Sequence, residues 1–152
     1  MTLLFAFLIG LFAGLRSLTP PAAVAWAVHL GWIKLARPLS LIGSLPAVII
    51  LSVLAITELI LDKLPNTPNR TAPLGLIARI VTGGFAGACV SLGGGQSAFV
   101  GAGLGVIGGI VGCFAGYQAR VRLVRALRQP TTVALLEDLV AISGSLFIVS
   151  RF

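Results

Sequence analysis

A chain of 152 residues in which 57% are hydrophobic and only 10% charged has too few polar side chains to clothe a soluble core; ordinary soluble domains carry about a quarter charged residues. Its long apolar runs lack the period-two alternation of barrel strands, so the composition excludes a water-soluble domain and a β-barrel and leaves an all-α transmembrane bundle. Eleven Lys and Arg against four Asp and Glu give a net charge of +7, which in a bilayer points to cytoplasmic loops and anionic lipids as partners rather than to nucleic acid.

Apolar runs fall at residues 2–18, 40–61, 76–93, 97–118 and 133–150, each near the roughly 20 residues needed to cross a bilayer. The first run carries no Lys or Arg up to residue 15, and despite the signal-like Ala23-Val24-Ala25 it reads as a retained helix. Between the first two runs lies Pro20 to Trp32, only 13 residues long, opened by Thr19-Pro20-Pro21: a cap followed by prolines that suit a first helical turn. Length leaves its crossing undecided, but charge discriminates. If it crosses, Arg16, Lys63, Arg70, Arg79, Arg120, Arg122, Arg125 and Arg128 share one side against Lys34, Arg37 and Arg151. If it does not, Arg16 joins the three and the asymmetry is poorer. The positive-inside rule therefore prefers six segments over five, with both termini away from the cytoplasm.

Gly10-Leu11-Phe12-Ala13-Gly14 resembles Gly83-Gly84-Phe85-Ala86-Gly87 at a shift of 73 residues, about half the chain. Three segments repeated once take opposite orientations, so halves 1–72 and 73–152 would form an inverted repeat with a short or broken second helix. The off-register Phe114-Ala115-Gly116 shows that so short a match also arises by chance in this composition.

Glycines recur every four residues in two rows: Gly101, Gly105, Gly109 and Gly108, Gly112, Gly116. Such rows let helix backbones approach closely, either within the chain or across a homodimer. Gly103 to Gly108 matches a dinucleotide fingerprint only formally, with no preceding strand and no acid about twenty residues on. Gly93-Gly94-Gly95-Gln96 lacks the Lys of a phosphate loop and reads as a tight turn or an unwound break. Cys89 and Cys113 sit in apolar sequence as small hydrophobes. His29, between Trp26 and Trp32, belongs to an interfacial anchor. Residues 118–129 place Arg122, Arg125 and Arg128 beside Val121, Val124 and Leu127, a basic amphipathic helix that with Arg120 contacts lipid headgroups.

The remaining polar residues converge on one end. Glu58 and Asp62 share a helix face, and in the six-segment scheme Glu137 and Asp138 join them with Arg16, Arg70 and Arg79. These groups form either a structural ion-pair cluster or a polar cavity, in which an acid binds a proton or cation and arginines hold an anion. A helix beginning at Pro20, or after the Gly93–Ser97 break, would aim its positive dipole end into such a cavity.

Gly14-Leu15-Arg16-Ser17-Leu18-Thr19-Pro20-Pro21-Ala22, Glu58-Leu59-Ile60-Leu61-Asp62-Lys63-Leu64-Pro65-Asn66-Thr67-Pro68-Asn69-Arg70-Thr71 and Leu136-Glu137-Asp138-Leu139-Val140-Ala141 resemble a family of small bacterial membrane proteins. That family is known only as domain of unknown function four-one-two-six. The resemblance spans nearly the whole chain and implies no activity. Its pattern singles out Arg16, Thr19, Pro20, Glu58, Asp62, Lys63, Arg70, Thr71, Arg79, Glu137 and Asp138.

The sequence thus supports a small transporter or channel-like protein of the bacterial inner membrane, working as a homodimer on a polar or anionic solute with proton or cation coupling. Arg16, Thr19, Glu58, Asp62, Arg70, Arg79, Glu137 and Asp138 are the candidate binding residues. A competing class is a membrane scaffold that packs its glycine faces against a partner. A third, an enzyme on lipid-linked substrate using Glu58 and Asp62 as acid and base, has no catalytic motif behind it, and no metal or cofactor is expected.

Overall fold

The computed structural model describes residues 1–63 and 72–152, and among them six α-helices and one 3-10 turn, with no strand. The helices are α1 (Thr2–Leu15), α2 (Thr19–His29), α3 (Leu45–Leu61), α4 (Pro73–Gly93), α5 (Ala98–Leu127) and α6 (Pro130–Val149), and the 3-10 turn Leu39–Gly43 precedes α3. Proline sits in the first turn of α2, α3, α4 and α6, where its missing N–H has no helical partner to lose. Helices α4, α5 and α6 are long and apolar enough to cross a membrane, while α1 and α3 are shorter apolar helices. Large apolar side chains such as Ile50, Val53, Ile60, Phe99, Val111 and Leu139 face outward, as lipid contact requires and water would penalise.

Glycine sets the centre of the bundle. A Cβ at Gly10 or at Gly83 would strike the carbonyl oxygen of Gly105, and one at Gly87 would strike that of Gly101. Likewise Gly108 meets the Phe7 carbonyl and Gly112 the Leu11 carbonyl. Helices α1, α4 and α5 therefore touch backbone to backbone, where dispersion rather than hydrophobic exclusion holds transmembrane helices. Numbers rise together along the α1–α5 contact and oppose along α4–α5, so α1 runs parallel to α5 and antiparallel to α4. Both glycine rows of α5 are covered within the chain, so of the two contacts open to them the intramolecular one is made and the homodimer alternative has no glycine row left.

Two ends follow from these directions. At one, Thr2 packs on Gly94, Ile33 covers Gly93, and the Phe5 and Phe152 rings meet edge to face at 6.1 Å. An apolar core of Ile9, Val24, Ala27, Ile33, Cys89, Val90 and Ile148 fills this end. The other end gathers Leu15, Ser17, Glu58 and Gly116. The stretch from Ser17 to Ile33 consequently runs from one end to the other, although α2 itself has only 11 residues. It is followed by a turn at Gly31, whose φ of 78° suits glycine.

Several boundaries differ from the apolar runs. The run at 2–18 stops as helix at Leu15, because Arg16 turns to extended backbone. The run at 40–61 divides into the 3-10 turn and α3. The basic segment 118–129 is no separate interfacial helix: it continues α5 to Leu127, where Arg128 closes the helix in a left-handed conformation. Gly93–Gln96 is a tight turn between α4 and α5, with Gly95 at φ 71°, and it lies at the apolar end. The start of α5 thus cannot direct its dipole at the charged cluster.

Candidate functional site

The site is the break between α1 and α2. A helix that stops at Leu15 and another that starts at Thr19 leave orphan carbonyls on one side and orphan amides on the other. Arg79, buried on α4, donates its Nε to the Gly14 carbonyl at 3.0 Å and its Nη1 to the Gly75 carbonyl at 2.9 Å. A cation is thereby placed at the negative end of the α1 dipole. Glu58, on α3, takes the amides. Its Oε1 accepts from the Ser17 N–H at 2.8 Å and the Ser17 hydroxyl at 2.7 Å, and its Oε2 accepts from the Leu18 N–H at 2.8 Å. The carboxylate sits at the positive end of α2, in place of the side-chain cap that α2 lacks.

Between these two ties lies Arg16, 0% exposed and the largest fully buried side chain among the described residues. Its Nη1 contacts Asp62 Oδ2 at 2.6 Å, and its Nη2 meets Asp138 Oδ1. The second contact is an ion pair without hydrogen-bond alignment, and Arg16 Nε has no hydrogen-bond partner. An outer ring completes the neutralisation. Lys63 Nζ reaches Asp138 Oδ2 at 2.7 Å, and Arg120 Nη1 reaches Asp62 Oδ2 at 2.8 Å and Glu137 Oε2 at 3.7 Å. Lys63 and Arg120 are partly open at 30% and 24% side-chain exposure, whereas the Arg16 side chain is at 1%. Among the described residues four acids (Glu58, Asp62, Glu137, Asp138) face four bases (Arg16, Lys63, Arg79, Arg120), so their formal charges cancel. Such pairing is what burial demands: an uncompensated charge here would cost several kcal/mol, of order 3–5 by analogy with broken buried pairs.

Of the expected binding residues, Arg16, Asp62, Glu137 and Asp138 meet in one network, with Glu58 and Arg79 at its flanks. Arg70 lies outside the described residues. Thr19 is buried and its hydroxyl has no hydrogen-bond partner. It lines a cleft of about 380 Å³ between α2, α3 and α6, together with Trp26, Ser52, Ile56, Leu59 and Leu146. That lining is largely apolar. Trp26 donates to the Ser52 hydroxyl at 3.0 Å, and Ser52 in turn donates to the Val48 carbonyl at 2.7 Å. Arg120 turns inward to Asp62 and Glu137 instead of joining Arg122, Arg125 and Arg128 in the exposed row. His29 is exposed near Trp26, at 6.0 Å between ring centres, and its Nδ1 lies 2.8 Å from the Gly43 carbonyl. Glu58 and Asp62, the acid and base of the enzyme reading, each hold partners within the protein.

Sequence reasoning overlooked Ser17 and Leu18, which contribute backbone N–H groups and the Ser17 hydroxyl; it kept Lys63 off the binding residues, although the resemblance singles it out, and assigned Arg120 to lipid. The signal for the first pair was present: two prolines opening a helix advertise unsatisfied amides just before them. Among the described residues no group of three His, Cys, Asp or Glu could hold a metal ion.

No curated protein and no solved structure matches the chain. The sequence pattern of one family does, over residues 3–150, nearly the whole length that contains the Arg16 network: the chain belongs to the domain of unknown function (DUF4126) family.

Proposed function

We propose that the chain is a multi-pass transporter of the bacterial inner membrane in which the Arg16 network is a latch rather than a solute site. One observation carries the reading: a wholly buried arginine joins Asp62, at the end of α3, and Asp138, about two turns into α6, to the break after α1. Intramembrane ionisable groups are costly, and they mark ion paths or moving parts more often than simple support. The tight α1–α4–α5 core supplies a fixed body. Helix α3 packs chiefly on α2 and the 3-10 turn, and it buries only Val48 and Ala55 along its length, so it is held to the body largely through Glu58 and Asp62. Opening Asp62 and Asp138 away from Arg16 would widen the cleft lined by Thr19 and Leu59. With its apolar walls, that cleft suits an amphiphilic solute better than the small anion expected from the arginines, of which Arg16 and Arg79 are occupied by protein groups and Arg70 lies outside the described residues. The charged end faces the cytoplasm in this reading, by the excess of Lys and Arg there. The inverted repeat is supported by the antiparallel pairing of α1 with α4; α2 and α5 differ too much in length to add to it.

The test is flux into proteoliposomes of a panel of small anions and short-chain amphiphiles, using a Leu59→Cys/Ile142→Cys pair that spans the cleft. Oxidation is expected to stop transport and reduction to restore it, with Arg16→Ala altering the rate. If no panel member moves, or movement ignores both changes, the transporter reading fails. A scaffold then gains ground. It is already favoured by one observation, the pairing of every acid in the network, and it predicts a stoichiometric partner on gentle purification.

A further inference from the structure

We infer that the outer part of α5 is a binding site for an anionic phospholipid, held in a groove between α5 and the start of α6. The groove measures about 440 Å³ and is lined by Tyr117, Arg120, Val121, Val124, Arg125 and Pro130. Three observations point to this occupant. First, α5 has 30 residues, about 45 Å at 1.5 Å per residue, against a hydrocarbon layer of about 30 Å. Because its first residues lie at the apolar end, the surplus projects from the charged end, at headgroup depth.

Second, one face of the helix changes character along its length. Phe114, Tyr117, Val121 and Val124 lead outward to Arg125 and Arg128, at spacings of three and four residues that keep them in one stripe. Apolar and aromatic surface inward with guanidinium outward is the order of acyl chain and phosphate in a lipid. Third, the described residues supply no counterion. All four acids belong to the Arg16 network, and Arg122, Arg125 and Arg128 are exposed and make no ion pair among the described residues. Each of these cations attracts an anionic headgroup without having to leave an internal partner, and a guanidinium binds phosphate oxygens in pairs. Arg120 closes the groove wall while its Nη1 remains on Asp62. The site therefore adjoins the network without drawing on it, and it stands whether the protein transports or not.

The experiment is native mass spectrometry of the full chain from mixed micelles of phosphatidylglycerol and phosphatidylcholine carrying identical acyl chains. Wild-type protein is expected to retain phosphatidylglycerol preferentially. The Arg122→Gln/Arg125→Gln/Arg128→Gln variant is expected to lose that preference by about tenfold or more, given roughly 1 kcal/mol per surface cation. The same elution volume and melting temperature would show that this exposed change leaves the fold intact. A Lys34→Gln/Arg37→Gln/Arg151→Gln variant at the opposite end is expected to keep the preference. Equal retention by wild type and the first variant would overturn the site, as would equal losses in both variants. Displacement of the lipid by excess inorganic phosphate alone would also overturn it, since it would show an anion site with no part for the acyl chain.

Discussion

At the residue scale, the Arg16 network separates neutralisation from mere proximity of charge. Removing Arg16 takes the buried cation from between Asp62 and Asp138, leaving Arg120 and Lys63, both partly solvated, as their cations among the described residues, and removes one positive charge beside buried backbone. Arg16→Ala is expected to destabilise the protein by about 3 kcal/mol, seen as a lowered melting temperature in detergent. Arg16→Lys should recover only part of the loss, because one ammonium cannot reach two carboxylates as a planar fork does. Glu58 permits a sharper test. In Glu58→Gln one carboxylate oxygen becomes an NH2 group, which sets a donor against the N–H of Ser17 or of Leu18. About 1–2 kcal/mol should be lost with shape nearly unchanged. Hydrogen exchange should show faster amide exchange at Ser17 and Leu18 and little change at Gly83 or Gly105. Uniform loosening throughout would refute the local role of the carboxylate.

At the element scale, the distinction that matters is which glycines are covered. Gly112 faces the Leu11 carbonyl of α1, whereas a Cβ at Gly103, on the same helix, would meet nothing within 4 Å. Gly112→Val should therefore drive α1 off α5 and abolish monodisperse protein on size-exclusion chromatography, while Gly103→Val should be tolerated. Similar losses from both would mean that α5 is sensitive to β-branching itself rather than to close approach. The same comparison explains what could be read in the sequence. The four-residue spacing revealed faces, because 3.6 residues per turn is a local property. It could not say whether α1, α4 or a second copy covered those faces, since that is fixed by tertiary packing. The early end of α1 escaped notice for a related reason. Residues 3–15 are continuously apolar and Leu18 resumes the run, so hydropathy averages over Arg16, whose extended backbone makes the break, and Ser17. The reach of α5 past residue 118 was hidden because basic residues that end an apolar run need not end a helix.

At the scale of the whole molecule, charge bookkeeping and coordinates address the same question from opposite directions. The four acids lie in one layer with four bases, which accounts for none of the +7 net charge. The surplus is carried by Arg122, Arg125 and Arg128 at the charged end, by Lys34, Arg37 and Arg151, and by Arg70 outside the described residues. Convergence of the acids was legible because each lies near the end of an apolar run, and two intervening runs bring those ends to one side whether or not Pro20 to Trp32 crosses; only the side of Arg16 depends on that crossing. The pairings themselves were not, since Arg120 could be assigned to lipid or to Asp62 until α5 was seen packed between α1 and α4. The consequence for the membrane can be measured through sidedness. Ile33 lies over Gly93 at the apolar end, and Arg125 belongs to the outer turns at the other. Single cysteines at Lys34 and Arg125 should then react with an impermeant maleimide from opposite sides of sealed vesicles, with Arg125 reacting from the cytoplasmic side. The native Cys89 and Cys113 are buried and should contribute little background. If both introduced cysteines label from one side, the stretch from Ser17 to Ile33 joins the two ends of the bundle without traversing the bilayer. The two ends would then share one aqueous face, and a latch at the charged end could not gate passage between compartments.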